Sequence, residues 1–302
     1  MALFTQCCLA LVNSSALIAA NTVAEVCFPP RERVLSTTCA SLANFLGVGI
    51  GLVVPPYLNN VEITLQIEAF GGVLCFLAYI LLAKNDHVQS FHAVSYSNFL
   101  LCRLKRREIA VLLLCGSAIG TSYTLIGLLE PILSLNGYNS LESGWAGLVL
   151  VLGGLTGGLL ASLIVDTSHS FPHPLRLYTV LGSCTAVLQC ILVDRYYLYL
   201  VCDYFLGVGI LGFVPLAMRV CVVSAYPLHE LVPTYMVFTF AQVFALRYTY
   251  PVLFWQEYTE WSGLWVLAAC VICSFGPLFW LCRGNSGENR GETDSLLSDK
   301  PL

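Results

Sequence analysis

The chain has 302 residues, of which 57% are hydrophobic and only 11% are charged, with a formal net charge of −4. A soluble globular domain carries about 25% charged residues, so this composition excludes an ordinary water-soluble protein. It also gives no support for nucleic-acid binding, which requires a basic face. The 14 cysteines lie mostly inside apolar stretches, where Cys behaves as a small hydrophobe, and we expect neither a metal site nor a cofactor.

Apolar stretches of about 20 residues, the length that crosses a bilayer as a helix, follow one another along the chain. They predict an all-α polytopic protein of the lipid bilayer. The predicted spans are residues 2–24, 35–54, 64–83, 109–129, 144–165, 177–193, 196–218, 232–253 and 262–281.

A basic loop divides these spans into two groups. Residues 84–107 contain Lys84, Arg103, Lys105, Arg106 and Arg107 between two long apolar blocks. Clustered Lys and Arg stay on the cytosolic side because they are costly to translocate. We therefore predict a three-helix remainder of an N-terminal bundle at 1–83, a cytosolic loop at 84–107, a six-helix bundle at 108–282 and a disordered cytosolic tail at 283–302.

The remaining basic residues give the orientation. Apart from Arg219 and Arg247, which fall at or within spans, Arg195 is the one Lys or Arg on the side opposite the basic loop. The C-terminus is therefore predicted to be cytosolic. As a separate hypothesis, we expect a multi-pass protein of the plasma membrane or of a lysosomal or endosomal membrane.

The tail contains a short sorting-like motif. Glu292, followed by Leu296 and Leu297, resembles the acidic dileucine signal that clathrin-adaptor proteins bind on cytosolic tails. The pattern is short, and a solvated tail that happens to contain two leucines remains the alternative.

Small residues recur on two of the predicted helices. Gly47 and Gly51, and Gly153 and Gly157, have the spacing with which helices approach closely in lipid. We expect these glycines to act as packing positions or hinges.

Ionisable residues inside spans are costly and default to functional hypotheses. The candidates for a cavity or a gate are Glu130, Asp166 and Arg219, while Asp203 is placed near an interface because it follows Arg195 by two turns. Interfacial anchoring or a helix–helix ion pair is the alternative for each.

Uncharged polar residues at mid-span give a second set of candidates. Gln242 is an amide among aromatic residues, an arrangement that can hold a small organic cation by dipole and cation–π attraction. Tyr123 and Thr124 offer hydroxyl groups on the first helix after the basic loop, with interhelical hydrogen bonding as the alternative. Catalytic motifs such as His-Glu-x-x-His or G-x-S-x-G are lacking in the sequence, so we do not expect an enzyme.

Several stretches, in the same order, resemble solute carrier family 49 of the major facilitator superfamily, which includes the feline leukaemia virus subgroup C receptor-related transporters. The resemblance is strongest to the family's less characterised third member. The stretches are Phe28 to Arg33, Val54 to Pro56, Leu129-Glu130, Ser143 to Leu148, Val165-Asp166, Gly212 to Met218 and Ala241 to Phe244.

The resemblance implies a twelve-helix major facilitator fold, a central cavity and transport of a small polar organic solute by alternating access. The solute would be choline, ethanolamine, haem or a vitamin-like compound. It also implies that Gln242 contacts the solute and that aromatic residues near Tyr123 and Thr124 line the site. The match begins inside the family's fourth helix, so we expect a chain that lacks about the first three helices.

Two functions follow as hypotheses. The first is a transporter of a small polar organic solute. The second is a truncated, non-transporting membrane protein that associates with or regulates a full-length carrier.

Overall fold

The computed structural model describes residues 33–82, 106–168, 172–225, 228, 231–256 and 262–284. Over these residues the chain is helical and has no strand, which confirms an all-α polytopic protein. The helices are α1 (Arg33–Leu58), α2 (Val61–Leu82), α3 (Arg106–Leu135), α4 (Ser140–Ser168), α5 (Pro172–Leu192), α6 (Tyr196–Ile210), α7 (Phe213–Ser224), α8 (Leu231–Gln256) and α9 (Ser262–Gly284).

Six stretches of the described residues are long and apolar enough to cross a membrane by length and composition. They are Thr38–Leu58, Val61–Ala78, Arg106–Leu135, Ser140–Val165, His173–Leu192 and Tyr196–Ser224. Helix α9 contains a shorter apolar segment, Leu264–Leu278. The first predicted span, 2–24, lies outside the described residues.

Short polar turns fix where helices begin. Asn60 accepts backbone hydrogen bonds from Glu62 and Ile63 at 3.0 and 3.3 Å, and so caps the start of α2. Before α4, Asn139 accepts from the Glu142 amide at 2.8 Å, while its own amide donates to the Glu142 carboxylate at 3.0 Å. This reciprocal pair is a capping box, which satisfies amides that the first turn leaves without partners.

The predicted span 196–218 lies within one apolar stretch of the structure, Tyr196–Ser224, which has a local irregularity at Leu211 and Gly212. Helix α6 ends at Ile210 and α7 begins at Phe213, with a turn at Leu211 and Gly212. Pro215 explains the irregularity, because it has no amide hydrogen to donate to the carbonyl four residues earlier. The amide of Val214 bonds to Leu211 instead, at 3.1 Å, which tightens the turn.

The core lies among α3 to α9. Its largest fully buried side chains include Tyr199, Phe213 and Phe275, and the rings of Phe213 and Phe275 meet at 5.0 Å between centroids. Helix α1 packs on α4 across the predicted domain boundary, where a Cβ at Gly144 would stand 2.6 Å from the carbonyl oxygen of Leu52. Within the described part of the chain, α2 contacts α1 and no other helix.

Candidate functional site

Helices α3 and α8 lie against each other at the backbone. A Cβ at Gly116 would stand 2.6 Å from the Cβ of Phe240, and one at Gly120 would stand 2.6 Å from the carbonyl oxygen of Ala241. Side chains do not approach this closely, so glycine permits the contact. Because the chain order of the contacts is the same on both helices, α3 and α8 run in the same direction.

A cluster of hydroxyl groups joins this pair to α9. Ser117 lies 2.6 Å from the Tyr248 hydroxyl and donates to Ser274 at 3.1 Å, and Thr121 lies 2.8 Å from Ser274. Ser274 also donates to Tyr248 at 3.1 Å. We call Ser117, Thr121, Tyr248 and Ser274 the hydroxyl cluster. It satisfies buried polar groups within the bundle and fixes α9 on one flank of α3 and α8.

The opposite flank contains Tyr123 and Gln242. Helical periodicity places Tyr123 about 60° from Gly120, on the side away from Thr121 and α9. It places Gln242 about 100° from Ala241, on the side away from Tyr248. Since the two helices are parallel and face each other through Gly120 and Ala241, these two directions point to the same flank of the pair.

Glu130 shares this flank, because it follows Tyr123 by seven residues, two helical turns further along α3. Glu130 and Gln242 are exposed, and Tyr123 is partly buried. None of the three side chains makes a hydrogen bond or ion pair with the described part of the chain. We call Tyr123, Glu130 and Gln242 the open flank.

The exposure of Glu130 and Gln242 favours contact with water over contact with lipid. An amide without a hydrogen-bond partner is costly in hydrocarbon, and a carboxylate is more so. The neighbouring Val243, by contrast, is apolar and 59% exposed, and it points away from Gln242 around the helix. The sequence of α8 therefore separates a polar flank from an apolar one.

Thr124 does not lie on the open flank. Its hydroxyl is buried and donates to the carbonyls of Gly120 and Ala245, at 3.0 and 3.2 Å. Thr124 therefore makes the interhelical hydrogen bond that the sequence analysis gave as the alternative to solute binding. Thr124 thus joins α3 to α8.

The other charged candidates lie elsewhere. Arg219 is partly buried in α7 and is not without an interaction partner. Asp166 lies in the last turn of α4, and its side chain falls outside the described residues. Asp203, which the sequence placed near an interface, is fully buried in α6. Among the described residues, no group of three His, Cys, Asp or Glu side chains could hold a metal ion.

The four candidate glycines fall into two classes. A Cβ at Gly153 would stand 2.0 Å from the carbonyl oxygen of Tyr204, and one at Gly157 would stand 2.8 Å from the Cα of Val208. These two form a close contact between α4 and α6. Around Gly47 and Gly51 no atom of the described residues lies within 4 Å of such a Cβ, so neither is a packing position against them. The tail motif of Glu292, Leu296 and Leu297 lies outside the described residues.

Tyr138 joins two turns at one end of the bundle. Its hydroxyl donates to the carbonyl of Val193, and its ring lies 5.4 Å from that of Tyr196. Desolvation by burial, followed by the nearby carboxylates of Asp194 and Glu142, raises the pKa of Tyr138 above its ordinary value.

Two features were missed by the sequence analysis. Ser117 and Thr121, one helical turn apart, form half of the hydroxyl cluster, and that spacing was the available signal. Gln189, on α5, donates to Asp203 at 2.6 Å, and nothing in the sequence connects these two residues.

Comparison of the sequence with known proteins shows which proteins the chain resembles. The chain is 29% identical to solute carrier family 49 member A3 of Danio rerio, over 79% of this chain and 54% of that protein. The chain is thus similar in sequence to a member of solute carrier family 49. The choline/ethanolamine transporter FLVCR1 of Felis catus is 26% identical over 81% of this chain and 49% of its own length. The transporter flvcr2a of Danio rerio, whose name also specifies choline and ethanolamine, is 26% identical over 75% of this chain and 54% of its own.

The chain therefore spans about half the length of the curated relatives it matches. No protein-family model matches it. The similarity to family 49, including its third member, confirms the resemblance found in the sequence. Together with the apolar helices, it establishes a multi-pass integral membrane protein related to transporters.

Proposed function

We propose that the chain moves a small polar organic solute, of the choline or ethanolamine class, across a membrane by alternating access. The observation that supports the site most directly is the open flank. Three polar side chains, Tyr123, Glu130 and Gln242, lie on one side of the α3–α8 pair without partners in the described part of the chain. Such groups are available to a ligand.

The chemistry of the open flank suits a small organic cation. A quaternary ammonium group is attracted to the face of an aromatic ring, which Tyr123 supplies. The amide oxygen of Gln242 presents a partial negative charge, and its NH₂ group can donate to a solute hydroxyl. Glu130 adds a formal negative charge at the end of the flank. The relatives' names, which specify choline and ethanolamine, agree with this chemistry and favour it over haem or a vitamin.

Two features of the helices are compatible with the movements that alternating access requires: the glycine contacts between α4 and α6, and the turn between α6 and α7. Gly153 and Gly157 let α4 lie on the backbone of α6, a contact that supports sliding or rocking because no side chains interlock there. The turn at Leu211 and Gly212, where Pro215 removes one helical hydrogen bond, is a point at which the stretch Tyr196–Ser224 can bend.

The similarity to transporters over most of this chain favours the carrier over the non-transporting protein that the sequence left as an alternative. We propose further that the C-terminal tail is cytosolic, following the basic loop. Leu296 and Leu297 would then be accessible to clathrin-adaptor proteins, and the site of action would be the plasma membrane or an endosomal or lysosomal membrane.

Uptake by the purified full chain in liposomes tests the proposal. We expect saturable uptake of radiolabelled choline or ethanolamine, and we expect Gln242→Ala to abolish it with unchanged amounts of reconstituted protein. Val243→Ala is the matched control, because Val243 is adjacent in sequence but points away from the open flank.

Two outcomes would contradict the proposal. Absence of choline and ethanolamine uptake by a folded, reconstituted chain would refute this solute class for the chain. Uptake with the same kinetics in Gln242→Ala and in the unmodified chain would refute the role of the open flank.

A further inference from the structure

A buried carboxyl group lies inside the bundle, apart from the open flank. Asp203 of α6 has no exposed surface. Its Oδ1 atom accepts a hydrogen bond from the Nε2 atom of Gln189 on α5, at 2.6 Å. Its Oδ2 atom is buried and has no hydrogen-bond partner. A buried polar atom without a partner is uncommon and calls for an explanation.

A second polar atom without a partner lies on the same face of α6. Tyr199 precedes Asp203 by four residues, so their side chains are neighbours on the helix surface, with Cβ atoms about 5–6 Å apart. Tyr199 is fully buried, and its hydroxyl has no hydrogen-bond partner.

The surroundings of Asp203 contain no balancing positive charge. Helix α4 meets α6 through glycine contacts at Gly153 and Gly157, and α5 supplies the neutral Gln189. No Lys, Arg or His of the described part of the chain interacts with the carboxyl group. The titratable groups that face this region are Tyr138 from the α3–α4 turn, Cys190 from α5, and Tyr196, Tyr199 and Cys202 from α6.

An ionised carboxylate is energetically unfavourable at this position. It accepts hydrogen bonds only, and this site offers one donor and no cation. A buried charge without a partner is far more costly than a buried neutral group. The neutral acid fits better, because Gln189 donates to its carbonyl oxygen and no buried charge is left without a partner.

We propose that Asp203 and Gln189 form a buried proton-binding site, beside Tyr199, in which Asp203 holds the proton at neutral pH. The reaction is simple protonation of the carboxylate by water-derived protons, with no other reactant. Asp203 lies seven residues, about 10 Å, into α6 from Tyr196. This proposal does not depend on the solute of the open flank.

Infrared spectroscopy of the purified full chain tests for the proton directly. A protonated carboxyl group has a carbonyl stretch that an ionised carboxylate lacks. We expect such a band at neutral pH, lost in Asp203→Asn and retained in Asp194→Asn, the exposed carboxylate near the start of α6. Gln189→Leu keeps Asp203 but removes the donor to Oδ1, so it should shift the band to higher frequency.

Thermal unfolding gives an independent readout. If the folded chain holds a proton that the unfolded chain releases, rising pH favours unfolding. The unfolding equilibrium constant then increases by up to about tenfold per pH unit between the pKa of the group in the unfolded chain and its pKa in the folded chain. Asp203→Asn mimics the neutral acid. We therefore expect it to match the unmodified chain at low pH and to become relatively more stable as pH rises.

Other results would overturn the proposal. A spectrum in which neither Asp203→Asn nor Gln189→Leu alters a protonated-carboxyl band would show that Asp203 is ionised. The same conclusion would follow if Asp203→Asn unfolded at a lower temperature by an equal amount at every pH. If Asp203→Asn does not fold, the Gln189→Leu spectrum decides alone, because it leaves the carboxyl group in place.

Discussion

Gly120 of α3 lies on the backbone of Ala241 of α8, where a Cβ on Gly120 would come within 2.6 Å of the Ala241 carbonyl oxygen. This contact sets the relative rotation of the two helices. Ala241 precedes Gln242, and Gly120 precedes Tyr123 by three residues, so the same contact turns both polar side chains to the open flank.

Gly120→Ala should therefore weaken the protein. The added Cβ meets a backbone carbonyl that cannot move aside, so α3 and α8 must separate. We expect the free energy of unfolding to fall by about 1–3 kcal/mol, the usual cost of overpacking. Denaturation of the purified chain in detergent measures this.

Gly127→Ala is the matched control on the same helix. No atom of the described residues lies within 4 Å of a Cβ at Gly127. Replacing a helical glycine with alanine then stabilises by up to about 1 kcal/mol. Equal destabilisation by both variants would show that the Gly120 contact does not hold the pair together.

The hydroxyl cluster should contribute to stability as a unit. Tyr248→Phe removes hydrogen bonds to Ser117 and Ser274 and leaves their hydroxyls with fewer partners. We expect a loss of about 1–3 kcal/mol, and a double-mutant cycle with Ser117→Ala should show coupling. Thr239→Val serves as the control, because Thr239 is exposed and bonds within its own helix. Strict additivity of Tyr248→Phe and Ser117→Ala would contradict the cluster.

The helices were predictable from the sequence because their signal is local. Seven of the predicted spans, which were defined by the length of their apolar stretches, each correspond to one continuous helix. The polar pair Asp194-Arg195 correctly indicated the turn between α5 and α6. The local irregularity at Gly212 was not predicted because Leu211 to Leu216 is uniformly apolar. Its cause, the missing amide of Pro215, leaves the hydropathy unchanged.

The site was less predictable because it depends on which helix faces which. Tyr123 and Thr124 are adjacent in sequence and look alike as hydroxyl donors, yet Thr124 bonds to Ala245 and Tyr123 does not. The two side chains point about 100° apart around α3, so that Thr124 faces α8 and Tyr123 does not. The sequence does not show on which side of α3 the helix α8 packs. The burial of Asp203 likewise depends on α5, which the sequence does not connect to it.

Tyr138 should titrate at higher pH than a free tyrosine. Burial and the carboxylates of Asp194 and Glu142 raise its pKa, so Asp194→Asn should lower it again. Difference absorbance between the unmodified chain and Tyr138→Phe isolates this phenol. The folded state binds this proton more tightly than the unfolded state. Its stabilisation is therefore complete below about pH 10, the ordinary tyrosine value, and is lost as pH rises through the folded value.

An unchanged titration in Asp194→Asn would contradict this electrostatic account. If Tyr138 had the same pKa as a free tyrosine, its partial burial would be contradicted as well.

The tail motif makes a prediction about location. Replacement of Leu296 and Leu297 by alanine should move the protein from internal membranes to the cell surface, because adaptor binding requires both leucines. Surface biotinylation measures the change. Leu302→Ala is the control in the same tail, and an unchanged surface fraction in the double variant would refute the sorting role.

The accessibility of position 242 tests the central claim most directly. In Gln242→Cys and Val243→Cys variants, labelling by a water-soluble, lipid-insoluble thiol reagent is measured above the background of the native cysteines. We predict that position 242 reacts, that position 243 does not, and that choline slows the reaction at 242. Equal labelling at the two positions, or labelling at 242 that choline leaves unchanged, would contradict an aqueous solute-binding site on the open flank.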